Sequence, residues 1–72
     1  SGAALDKAVQ KLNAAAQSLN NAAGDLRDTA STKPERIGLA SRGVGNAVHS
    51  VSEAAKEVAY NTGDKAVQTG VL

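Results

Sequence analysis

The sequence predicts an all-α fold: an antiparallel hairpin of two long helices, with room for a short third C-terminal helix. The hairpin is expected to be completed into a bundle by self-association or by a partner. Three observations predict it. Leucine recurs every seventh residue at Leu5, Leu12, Leu19 and Leu26, and Ile37, Val44, Val51 and Val58 repeat that interval further on. Alanine fills the positions between these larger side chains in both halves. Pro34, the only proline, stands between the two runs.

The first helix is expected over about residues 3–30. With leucine at heptad position d, Val9, Ala16 and Ala23 fall at a, and Ala8, Ala15 and Ala22 at g. All three columns are apolar, whereas Asp6, Lys7, Lys11, Asn13, Gln17, Asn20 and Arg27 occupy the rest of the surface. This is an amphipathic helix with a broadened apolar stripe. Gly24 weakens it by about 1 kcal/mol relative to alanine.

Residues 31–33 form the expected connection. Proline suits the first turn of a helix, where its missing N–H would have no partner anyway. Thr32 and Glu35 have the spacing of a capping box. Lys33 as N-cap with Pro34 at the next position is the alternative, and the sequence leaves both open. A short connection makes its two helices antiparallel neighbours.

The second helix is expected over about residues 34–61. Ile37, Val44, Val51 and Val58 alternate with Ala40, Ala47 and Ala54, while Val48 and Ala55 widen the stripe. Gly38, Gly43 and Gly45 are its weak points, each costing roughly 1 kcal/mol in a helix interior. They admit two readings: close contact or simple tolerance, or a hinge that opens the hairpin. Thr62-Gly63 is a C-terminal stop signal. Residues 62–72 form a tail that either adds a turn around Ala66 and Val67 or stays loose.

A large side chain resting over a small one lets two helices approach closely. Alanine adds little apolar area, so the core must be thin. The stripe is wider than a two-helix seam needs, and Val9, Val48 and the column of Ala8, Ala15 and Ala22 are expected to stay partly wet in a lone hairpin. Self-association or packing against another helical protein would cover them. A monomeric three-helix arrangement closed by Val67, Val71 and Leu72 is the competing architecture.

Composition limits the chemistry. The 72 residues make one domain at most and include no Cys, Met, Phe or Trp, so disulfides and thiolate metal sites are excluded. The net charge is +1 with no acidic or basic tail, so charge points to no polyanion. His49 and Glu53 share a helix face at i, i+4, but two ligands do not make a metal site. Glu53 and Glu57 are likewise spaced, yet catalytic carboxylate pairs need a cleft that a solvated helix face lacks. Glu53 with Lys56 reads more simply as an i, i+3 ion pair. Gly43-Val44-Gly45 follows no strand and precedes no Gly-Lys-Ser/Thr, so it is not a phosphate loop. No catalytic residue and no cofactor is expected.

Lys33, Arg36 and Arg42 form a small basic cluster at the start of the second helix, a possible contact for an acidic partner or a lipid headgroup. Without stacking aromatics, nucleic acid is disfavoured.

The run Ser52-Glu53-Ala54-Ala55-Lys56-Glu57-Val58-Ala59 resembles helices of the talin and vinculin rod bundles. The segment Asp64-Lys65-Ala66-Val67-Gln68-Thr69-Gly70-Val71 is similar to the lipid-associating repeats of perilipins and synucleins, whose 11-residue period this chain does not sustain. No family is assigned on either.

The functional expectation is a non-enzymatic helical interaction or assembly module. It would act through Leu5, Val9, Leu12, Leu19, Leu26, Ile37, Val44, Val48, Val51 and Val58. The alternative is an amphipathic protein that opens and lays its apolar face reversibly on a membrane surface.

Overall fold

The computed structural model describes residues 2–63; the tail expected around Ala66 and Val67, with Val71 and Leu72, lies outside them. Helix α1 spans Gly2–Thr32, a single 3-10 turn spans Pro34–Arg36, and helix α2 spans Ile37–Thr62. Every described residue except Lys33 and Gly63 is helical. The two helices pack against each other as an antiparallel hairpin. Its principal extents are 46 × 23 × 11 Å, so the molecule is a slab one helix thick.

The connection is tighter than expected, because Ser31 and Thr32 belong to α1. The Lys33 N–H donates to the Thr29 carbonyl at 2.7 Å, and the Arg36 N–H donates to the Lys33 carbonyl at 2.8 Å. The capping box does not form. Thr32 Oγ1 instead donates back to the Asp28 carbonyl at 2.8 Å, which binds it to the helix it ends. Lys33 is the N-cap of the turn, with Pro34 following, and it makes no side-chain capping hydrogen bond. Proline therefore sets the turn through its fixed φ. At the far end Gly63 adopts φ 76°, and its N–H donates to the carbonyls of Ala59 and Tyr60. That left-handed stop follows the Thr62-Gly63 signal.

The seam on α2 follows the alternation in its sequence: Val44, Val51 and Val58 are half-buried, Ala40 likewise, and Ala47 and Ala54 are buried. On α1 the four leucines are half-buried, but their companions differ from expectation. Ala8 is the most buried residue, at 2% exposure, and Ala15 and Ala22 are half-buried. Val9 is exposed, as expected for a lone hairpin, and so are Ala16 and Ala23. The column expected to stay wet is the one that meets α2. The physical reason is the side from which α2 approaches: the two columns flanking the leucines are of nearly equal size and polarity, and the turn brings α2 to the one that carries Ala8.

The levels of the two helices follow from the turn at Lys33, beside which residues i and 66 − i face each other; Lys11 with Glu57, further out, lies two residues off that sum. Leu26, Leu19 and Leu12 then share levels with Ala40, Ala47 and Ala54. Ala22, Ala15 and Ala8 share levels with Val44, Val51 and Val58. Large thus meets small from Leu26 to Ala8, while Leu5 comes level with Asn61. The only buried apolar residues among those described are Ala8, Ala47, Ala54 and Ala59. A slab of this thickness half-covers its larger side chains and no more, worth about 1 kcal/mol for each leucine against about 1.5–3 for full burial.

The glycines pack against nothing. A Cβ built on Gly24, Gly38, Gly43 or Gly45 would meet no atom within 4 Å, so the close contact considered for the last three is absent. Helix α2 runs through them without a break.

Candidate functional site

The candidate site is a surface, and the Lys11–Glu57 ion pair fixes its location. Lys11 Nζ lies 3.1 Å from Glu57 Oε1, joining the flanks of α1 and α2 on one side of the seam. The flanks on the other side of each seam must therefore share the opposite face. On α1 that flank carries Val9, Ala16 and Ala23; on α2 it carries Ile37, Val48 and Ala55. Helical periodicity aligns each set on one side of its helix, because residues three, four and seven apart share a face.

This face is mixed and in large part exposed: Asn13 and Asn20 share it with the α1 residues, and Ser41 and Ser52 with those of α2. Val9 is 39% exposed, Ile37 38% and Val48 50%. Small Ala16 and Ala23 leave it flat. The sequence-predicted packing residues thus divide in two. Leu5, Leu12, Leu19, Leu26, Val44, Val51 and Val58 close the hairpin, whereas Val9, Ile37 and Val48 lie on the outward face. Ala8, Ala15 and Ala22 join the first group. The signal for them was present, since alanine is the only residue type in that column, but the column on the leucines' other side is equally apolar.

The opposite face is polar. An open groove of about 800 Å³ runs along it, lined by Lys11, His49, Ser50, Glu53, Glu57 and Tyr60 among others. Ser50 Oγ donates to the Asn46 carbonyl at 3.2 Å, and Lys56 Nζ lies 3.5 Å from Glu53 Oε2, the expected i, i+3 pair. His49 is exposed. Among the described residues no group of three or more His, Cys, Asp or Glu is placed to hold a metal ion.

Nearer the turn a second groove brings Lys33 and Arg36 together with Asp25 and Asp28, and Leu39 beside them is 66% exposed. The two acids dilute the basic cluster read from the sequence. Arg42 does not line that groove. No described helix is long and apolar enough to cross a membrane.

Fold and surface together define an all-α helical hairpin with one polar face and one on which Val9, Ile37 and Val48 stand exposed among small and polar residues. No family model matches the chain, and no curated protein or solved structure is significantly similar to it.

Proposed function

We propose that the protein is a non-enzymatic helical interaction module whose exposed Val9, Ile37 and Val48 pack against another helical surface. The observation that carries this reading is the shared outward placement of Val9, Ile37 and Val48 on a hairpin one helix thick. A thin slab with alanine-rich, flat flanks suits helix-on-helix contact, because small residues let a further pair of rods approach closely. The absence of Phe, Trp and Met supports the same choice over a lipid surface, since interfacial helices draw much of their anchorage from Trp and Phe.

Vesicle sedimentation with circular dichroism separates the two readings. The module stays helical in buffer and remains in the supernatant when phosphatidylserine-containing vesicles are pelleted. Co-pelleting accompanied by a gain of helicity would replace this reading with the membrane-surface one. In that case the basic residues Lys33, Arg36 and Arg42 would be the next to substitute.

A further inference from the structure

We infer that the hairpin opens from its turn: residues 37–46 of α2 come away from α1 and lose their helix as one unit, while residues 47–62 stay docked. The free ends of the two rods act as the clamp, and the covalently joined end is the weak one. This opening is a property of the single chain and stands apart from the interaction reading.

Backbone freedom is concentrated at the turn. Gly24, Gly38, Gly43 and Gly45, the glycines inside the two helices, all lie on the turn side of the level that Leu19 shares with Ala47. Each shifts the helix balance toward the unfolded backbone by roughly fivefold relative to alanine. None recovers that loss by packing, since a Cβ on any of them would meet no atom within 4 Å.

Cover is concentrated at the other end. Residues 37–46 offer the seam only Ala40 and Val44, both half-buried, while Leu39 stands exposed. Beyond Asn46, Ala47, Ala54 and Ala59 are buried, and Val51, Ala55 and Val58 are half-buried. Side-chain bonds follow the same division. Lys11 and Glu57 join the helices in the outer half. On the turn side Thr32 and Arg27 bond only to Asp28 of their own helix. Helix α2 begins at Arg36 without a side-chain cap. Its far end is tied down: Asn61 Nδ2 donates to the Glu57 carbonyl at 2.8 Å and Thr62 Oγ1 to the Ala59 carbonyl at 2.9 Å.

Opening uncovers Ala22 and Leu26 of α1, which the closed hairpin half-buries, and leaves Leu5 and Leu12 in place. A surface that binds the uncovered strip would draw the hairpin open in proportion to its preference for that state.

Amide hydrogen exchange of the full chain, read by NMR at increasing urea below the global midpoint, tests the opening. The amides of residues 41–46 lie past the first turn of α2, so each has a helical acceptor to lose. They should exchange roughly tenfold or more faster than those of residues 51–58, relative to intrinsic rates. Their urea dependence should also be weaker, because a partial unfolding exposes less surface. Ala55→Gly loosens the outer half alone. It should speed exchange at residues 51–58 by roughly fivefold and leave residues 41–46 within about twofold of the parent. Gly45→Ala should slow exchange in both stretches by roughly two- to fivefold, because the glycine segment is unfolded in the partial and the global opening alike.

Equal protection in the two stretches, or less at residues 51–58, overturns the inference. Ala55→Gly speeding both stretches alike would make the hairpin a single cooperative unit and overturn it as well. Residues 41–46 indifferent to Gly45→Ala would remove the glycines as its cause and overturn it on that ground.

Discussion

Lys11 Nζ and Glu57 Oε1 meet at 3.1 Å across 46 residues of sequence, the one ion pair between the two helices among the described residues. The side chains are 64% and 45% exposed, so the contact is worth little as energy and much as a marker. It identifies which flank of α1 lies beside which flank of α2. The side that carries Val9, Ile37 and Val48 is located by that single relationship together with helical periodicity.

Glu57→Gln should therefore cost less than about 1 kcal/mol in a urea melt, and the difference should shrink further at high salt, where exposed charges are screened. The level matching of leucine with alanine does not depend on the pair, so helix content should stay unchanged.

The rungs of the seam are open to a swap. Ala54→Leu places a large side chain against Leu12 and should destabilise the hairpin by about 1–3 kcal/mol through overpacking. Leu12→Ala should destabilise it by removing apolar contact. The double variant restores one large and one small residue at the same level, so the two losses should add to less than their sum. Thermal melts of the four chains measure the coupling. Strict additivity would place Leu12 and Ala54 at different levels.

Glycine substitutions should divide by backbone conformation. Gly43→Ala and Gly45→Ala add a methyl group into open space within a helix and should each stabilise by roughly 0.5–1 kcal/mol. Gly63→Ala should destabilise by about 1–2 kcal/mol, because Gly63 holds φ 76°, where Cβ crowds the following carbonyl. Denaturation midpoints compare all three with the parent. Loss of stability in the first two would revive a packing role for these glycines.

Leu19→Asp puts a carboxylate on the seam beside Ala47 and should abolish the cooperative helical melt, given the price of burying an unpaired charge. His49→Ala, on the solvated face, should move the midpoint by no more than about 0.5 kcal/mol. Far-ultraviolet circular dichroism reads both. A cooperative, parent-like melt for Leu19→Asp would remove the leucine column from the seam.

The all-α class and the helical hairpin were legible in the sequence because heptad spacing and a lone proline are local signals. The partner column on α2 was legible for the same reason, since Ala40, Ala47 and Ala54 have no apolar column of equal rank on the other side of the valines. On α1 the leucines are flanked by two apolar columns. Which one faces α2 depends on the side from which α2 approaches, and α1's own residues do not encode that. The turn was ambiguous for a related reason. Thr32 can serve as a cap or extend its helix, and the fixed φ of Pro34 leaves the hydroxyl free to bond back to Asp28. The outward face was legible only as surplus width in the stripe. Assigning Val9 and Val48 to one side of the molecule required the cross-helix pair.

The single-residue link at Lys33 reverses the chain between two rods of similar length, so Gly2 and Gly63 emerge at the same end. Anything joined there would be held side by side, about 10 Å apart as neighbouring helices are. Threaded into a longer polypeptide, such a unit would add almost no separation between its attachment points while projecting a fin some 46 Å out from them.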